Sequence, residues 1–164
     1  FHEAHICHFY LEGLDWALDV IWGSIWLKAL SFDPDLAHWS DIEKVTLAFG
    51  YGLSATPIQL ARAYAVLANG GVRRPLTLLK QQADMPIHGE RVIDKTIAAD
   101  VLRVLDRVTE PGGTATLAQV PGFSVGGKTG TVHKVGEGGY LDDQYVALFV
   151  GIAPMTAPRF AGAC

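Results

Sequence analysis

Gly126-Gly127-Lys128-Thr129-Gly130-Thr131, followed by the apolar run Tyr145 to Ile152, is the stretch on which the fold turns. Residues 123–133 alternate in the manner of a strand, residues 136–143 are rich in glycine, and residues 145–152 form a second strand-like run. The spacing predicts an antiparallel hairpin. Glycine weakens a strand and marks close approach by a ligand or another backbone, so this strand is built for something other than ordinary packing. Thr129 and Thr131 lie two apart and share one face, while Lys128 takes the other. Two hydroxyls, exposed backbone N–H groups and a nearby cation suit an anionic, peptide-like ligand lying along the strand. A glycine-rich edge strand with a solvated lysine is the plainer reading of the same residues.

Upstream, the chain reads as helices. Thr56-Pro57-Ile58-Gln59 is a capping box with proline at the first helical position. The helix it opens passes through Leu60, Ala61, Tyr64 and Leu67 and stops at Asn69-Gly70-Gly71, where glycine accepts the left-handed conformation. Ser40-Asp41-Ile42-Glu43 is an earlier capping box, for a short helix to about Ala48 that Gly50-Tyr51-Gly52 ends. Residues 72–79 read as an extended run held to an edge by Pro75, and residues 81–90 as a loop. Asp94 caps a further helix through Val108, with Ile97, Val101, Val104, Leu105 and Val108 on its inner face, before Pro111-Gly112-Gly113. Helices followed by a hairpin give an α/β fold of the α+β kind, its sheet at least partly antiparallel.

The 164 residues suffice for one domain with a real core. Apolar residues make up 49% and charged residues 18%, an apolar balance that fits a piece of a larger core. The net charge of −4 gives no basic face for nucleic acid. Cys7 and Cys164 make no disulfide framework. The uncharged stretch Val20 to Leu27 is far short of the roughly 20 apolar residues that span a bilayer. No initiator methionine, basic n-region or cleavage site marks a signal peptide, and a start at Phe1 reads as a piece of something longer.

Residues 1–36 read differently from the rest. His2, His5 and His8, with Glu3 and Cys7 between them, raise a metal site, but at about 100° per residue three rings so spaced diverge on a helix. A polar terminus with no metal is the reading preferred. Leu11, Leu14, Leu18, Ile21 and Ile25 form an apolar stripe beside Glu12, Asp15 and Asp19, with Trp16, Trp22 and Trp26 adding apolar area. Its acidic polar face argues against a membrane-surface helix, which favours Lys and Arg. Core packing, or a segment with no native partner, is preferred over partner docking.

Lys-Thr-Gly is one of three signatures of the serine penicillin-binding and β-lactamase enzymes, beside S-x-x-K and S-D-N. Tyr51-Gly52-Leu53-Ser54-Ala55-Thr56-Pro57-Ile58-Gln59-Leu60-Ala61, with Ala68-Asn69-Gly70-Gly71, resembles the core helix of class B penicillin-binding proteins. Gly113-Thr114-Ala115, the Lys-Thr-Gly strand and Tyr145 to Pro154 follow in the family's order. The resemblance is to the division-specific peptidoglycan transpeptidases, spans residues 37–160, and is highly specific as a combined pattern. It implies the C-terminal part of a transpeptidase domain of the penicillin-binding protein/β-lactamase-like fold. It also implies a serine D,D-transpeptidase that cross-links peptidoglycan stems, is acylated by β-lactams, uses no cofactor, and works on the periplasmic face of the inner membrane with division proteins as possible partners. Serine attacks the penultimate D-Ala carbonyl, terminal D-Ala leaves, and an amine of a neighbouring stem resolves the acyl-enzyme.

Carried over by the same resemblance, Lys128 binds the substrate carboxylate and supports the proton network. Thr129 and Thr131 hydrogen-bond that carboxylate, Gly130 leaves room for the substrate, and the Thr131 N–H is one oxyanion-hole donor, worth about 3 kcal/mol where such donors have been removed.

The other two signatures are missing. No serine has a lysine three positions on: Ser24 and Lys28, Ser40 and Lys44, and Ser124 and Lys128 are all four apart, and no S-x-N occurs. The spacing matters because i, i+3 on a helix puts hydroxyl and amine side by side. The sequence therefore carries no catalytic nucleophile, and the expectation is a transpeptidase fragment, inactive alone. Residues 1–36 lack the resemblance and residues 161–164 read as a truncated tail; a frameshifted or truncated reading frame accounts for both. The alternatives are a β-lactamase or D,D-carboxypeptidase relative, a non-catalytic module binding peptidoglycan stems or a partner, and a remnant that does not fold stably.

Overall fold

The computed structural model describes residues 4–5, 54–81, 86–136 and 139–164. The expected stripe from Leu11 to Ile25, the Ser40 capping box, and all but the His5 backbone of the histidine-rich terminus lie outside the described residues. The elements run β1 (Ala4–His5), β2 (Ser54–Ala55), α1 (Pro57–Ala68), β3 (Val72–Arg73), β4 (Glu90–Arg91), α2 (Lys95–Asp106), 3-10 turns at Arg107–Thr109 and Thr116–Ala118, β5 (Gly126–Gly136), β6 (Gly139–Ala153) and β7 (Phe160–Ala163). β1 pairs antiparallel with β2 and β3 with β4, and β5, β6 and β7 form an antiparallel sheet in that order.

The first helix begins where its capping box requires. Thr56 Oγ1 accepts from the Gln59 N–H at 3.3 Å, and Gln59 Oε1 accepts from the Thr56 N–H at 2.8 Å, so two donors that the first turn orphans are satisfied. It ends through Gly71, whose φ of 86° is left-handed and whose N–H donates to Val66 O at 2.8 Å. Gly71 O then accepts from the N–H groups of Val92 and Ile93, tying the end of α1 to the approach to α2. A Cβ at position 71 would stand 2.1 Å from Ile93 O, so only glycine fits there.

The core joins both helices to the sheet. Leu60, Ala63, Tyr64, Val66 and Leu67 are buried on α1, which packs against β6, β7 and α2. Val150 and Ile152 face them from β6. Burial pushes the pKa of the Tyr64 hydroxyl up.

On α2 the inner face differs from the expected one. Ala98, Val101 and Leu105 are buried, whereas Ile97 and Val104 are exposed. The helix is turned so that a methyl rather than a branched chain faces inward, and Ala98 loses all its exposed surface in the tight contact that results. Asp94 caps this helix from the Thr96 N–H at 2.8 Å. Asp106 ends it, with Arg107–Thr109 continuing as a 3-10 turn.

Three further boundaries move. The extended run expected over 72–79 is a strand only at Val72–Arg73, because Pro75 has no N–H for a ladder and Leu78 and Leu79 stand in solvent. Phe123 lies in a turn, donating its N–H to Val120 O past the left-handed Gly122, so the signature strand starts at Gly126. The glycine-rich stretch expected as a loop from Gly136 to Asp143 is mostly ladder: Gly136 pairs Gly139, Val135 pairs Tyr140, and a register shift falls between His133 and Val135. Residues 160–163 pair with residues 150–153 of β6 as a third strand.

Candidate functional site

In an antiparallel pair, directly opposed residues share a face. Gly126 opposes Ile152, Lys128 opposes Val150 and Gly130 opposes Leu148, so these lie on the face toward the core. Gly127, Thr129 and Thr131 oppose Gly151, Phe149 and Ala147 on the other face. Lys128 is half-buried, and its Nζ donates to Thr129 O at 2.9 Å. Thr129 is half-buried, Gly130 buried and Thr131 exposed. The strand thus brings Lys128, Thr129, Gly130 and Thr131 together at an outer edge of the three-stranded sheet, the cation on one side and the hydroxyls on the other.

Three of the glycines have packing reasons. A Cβ at Gly127 would meet Val150 O at 2.3 Å and Phe149 Cζ at 2.7 Å, and one at Gly151 would meet Phe149 Cε1 at 2.7 Å. Both backbones are bare beneath one aromatic ring. At Gly126 a Cβ would meet Met155 Sδ at 2.6 Å.

Neighbouring loops hold the strand from its N-terminal end, through contacts the sequence reading missed. Thr129 Oγ1 donates to Thr114 Oγ1 at 3.0 Å, joining the signature to the loop after the Arg107–Thr109 turn. Buried Thr109 donates its hydroxyl to Val125 O at 2.6 Å, and Gln119 Nε2 donates to Thr109 O at 2.5 Å. Ser124 Oγ accepts from the N–H groups of Met155 and Thr156 at 2.9 and 3.3 Å, pinning the turn after β6. The order Gly113-Thr114-Ala115 before Lys-Thr-Gly was a signal for the first of these; nothing local marks the other three. On the far part of the hairpin His133 and Tyr145 oppose each other with ring centroids 4.4 Å apart.

Chemically the arrangement offers groups that seek an acceptor: the Lys128 ammonium and the Thr129 and Thr131 hydroxyls. Ser124, four residues before Lys128, uses its hydroxyl to accept from two backbone N–H groups. No group of metal-ligating side chains occurs among the described residues. No helix among them is long and apolar enough to cross a membrane.

Residues 31–164 match the family model of the penicillin binding protein transpeptidase domain. The chain is 44% identical over 128 residues to the peptidoglycan D,D-transpeptidase FtsI of Escherichia coli K12, covering 78% of this chain and 21% of that protein. It is 47% identical over 122 residues to the probable peptidoglycan D,D-transpeptidase PenA of Neisseria gonorrhoeae, covering 74% and 21%. The chain thus spans about a fifth of the length of these curated relatives. Among solved structures, the transpeptidase domain of Burkholderia pseudomallei penicillin-binding protein 3 superposes with a TM-score of 0.73 at 44% identity, over 80% of this chain and 39% of that one. A peptidoglycan glycosyltransferase from Burkholderia ambifaria gives 0.68 at 41%, over 79% and 39%. The mixed helix and antiparallel sheet arrangement is therefore the penicillin-binding protein/β-lactamase-like fold expected from the sequence.

Proposed function

The chain belongs to the penicillin binding protein transpeptidase domain family, and from that premise we propose that it supplies the carboxylate-binding half of a peptidoglycan D,D-transpeptidase site without the acylating half. Its ligand is the D-Ala-terminated stem peptide or a β-lactam that mimics it. Lys128 gives the carboxylate a positive charge, and the hydroxyls of Thr129 and Thr131 donate to its oxygens. Gly130 keeps the backbone bare where the ligand lies, and the Thr131 N–H is aimed at the developing oxyanion. The observation that carries this reading is the edge strand itself, on which the four residues stand in alternating directions beside two glycines that allow no side chain.

The sequence has no S-x-x-K and no S-x-N. In the proposed reaction the serine hydroxyl attacks the carbonyl carbon as its proton passes to a base, and a leaving amine takes a proton as the peptide bond breaks. This chain holds neither that serine nor its lysine partner, so bound β-lactam keeps its ring closed. Such groups act as a unit, and losing the nucleophile alone removes most of the rate enhancement. The setting is the division machinery at the periplasmic face of the inner membrane, with the rest of the transpeptidase domain as the natural partner.

Intact-mass spectrometry of the chain after incubation with excess benzylpenicillin tests the division of labour. The expected spectrum shows the unmodified mass, while backbone amide resonances of Lys128 to Thr131 shift saturably with the same ligand. An adduct of one opened lactam would overturn the non-acylating reading. Absence of any shift at those four residues would overturn the binding role.

A further inference from the structure

On α1 and the segments beside it, the structure gathers positive charge with few counter-charges. A groove of about 260 Å³ is lined by Arg62, Arg74 and Arg159, with Val66, Leu76 and Ala161 among its apolar walls. An adjoining hollow of about 390 Å³ shares Arg62 and Arg74 and adds Arg73 and His88. Among the described residues Glu90 is the one carboxylate lining either space, and it is already engaged by Arg73 at 2.5 Å. Among the described residues, neither Arg74 nor Arg159 makes an ion pair. Half-buried Arg62 has its Nε shielded from water with no acceptor in reach. The Arg74 stem is set by its surroundings too: a Cβ at Gly89 would come 3.3 Å from Arg74 Cγ and 2.6 Å from Val72 Cγ1, so the β3–β4 hairpin packs there on bare backbone.

A buried donor with no acceptor is costly and rare in a native protein, and like charges gathered in one groove repel. One occupant relieves both. An anion with several acceptor oxygens completes Arg62 and balances Arg74 and Arg159, and a guanidinium fork matches such oxygens in pairs. Three guanidiniums without counter-charge fit a multiply charged group better than a single carboxylate. We infer that the groove between α1, the segment after β3 and the start of β7 is a phosphate-binding site. The phosphate is either free or carried by a lipid headgroup whose apolar part lies along Val66, Leu76 and Ala161. The site is separate from the Lys128 strand and independent of what that strand binds.

The test titrates inorganic phosphate into the full chain against sodium chloride of equal ionic strength, following the arginine Nε–H resonances. A saturable shift of Arg62 Nε–H with phosphate alone is expected. Arg74→Gln and Arg159→Gln should each weaken it about tenfold or more, the loss of one charge-assisted contact, with Val150 and Ile152 methyl resonances unmoved. Sedimentation with phosphatidic acid vesicles, whose headgroup is a multiply charged phosphomonoester, against pure phosphatidylcholine, separates the two sources. Binding to the anionic vesicles that is lost in Arg74→Gln identifies the headgroup, and a phosphate shift without vesicle binding identifies the free ion. A response equal to that with chloride, or one untouched by both substitutions, would overturn the site.

Discussion

At Gly127 one methyl group decides whether the signature strand can lie where it does. The added Cβ would sit 2.3 Å from Val150 O, which belongs to the ladder and cannot swing away as a side chain can. Gly127→Ala should therefore destabilise the chain by about 1–3 kcal/mol or more, as overpacking does, read from the urea midpoint. Thr129→Val keeps the shape and removes the hydroxyl. It should abolish the benzylpenicillin-induced shift at residues 128–131 and free Thr114 Oγ1, while unfolding changes little. At Asp94 the hydrogen bonds from the Thr96 side chain and backbone hold the carboxyl below its usual range. A depressed folded pKa means that the cap's contribution is complete above the ordinary carboxylate value near 3.9 and fades as pH falls through the lower folded value. The thermal midpoint should drop on acidification below about pH 4, and Asp94→Asn should flatten that part of the profile. The alternating faces of Lys128 to Thr131 were legible from the strand pattern, because side chains on a strand alternate by geometry, whereas their candidacy as a site came from the Lys-Thr-Gly signature and the family resemblance. The Thr114 hydroxyl was not legible, since its partner is fifteen residues away and the approach depends on the path of the intervening turns.

Among the elements, α1 was the most readable. Thr56 and Gln59 at one end and Gly70 and Gly71 at the other are local chemistry, and local chemistry is what a sequence displays. Its inner face carries much of the core, so Leu67→Ala should cost about 2–5 kcal/mol by thermal or urea unfolding, with the spread set by how far the neighbours collapse. The inner face of α2 was misread because rotation about a helix axis is chosen by the partner surface. The expected face of residues 97, 101, 104, 105 and 108 and the buried face of residues 98, 101 and 105 share Val101 and Leu105, and the fully buried Ala98 decided the turn of the helix. The strands erred in length in both directions for the same reason. Pro75 cut one short by lacking an N–H, while glycines that look like a loop in isolation were carried into the ladder by their opposite numbers on β6.

For the molecule as a whole, the order of motifs was decisive. A capped helix, then a Gly-Thr-Ala turn, then Lys-Thr-Gly and an apolar return strand is a sequence of events that few folds share, and the transpeptidase family model covers it. The net charge of −4 conceals an uneven distribution, with arginines drawn together around α1 despite the acidic total, and only folding reveals that gathering.

The three-stranded sheet has a topological consequence. Among the described residues its order is β5-β6-β7, which leaves β5 and β7 with one unmatched side each. A row of unmatched amides and carbonyls is a template for any extended peptide, and another molecule of the same chain is the commonest peptide in a concentrated solution. The short, glycine-bearing β7 is a poor copyist; the eleven-residue β5 is a better one, restrained by the charges of Lys128 and Lys134. Self-association should therefore rise with concentration and be suppressed by ligands that occupy β5, so the row of groups proposed to bind a cell-wall peptide would also set the solubility of the chain.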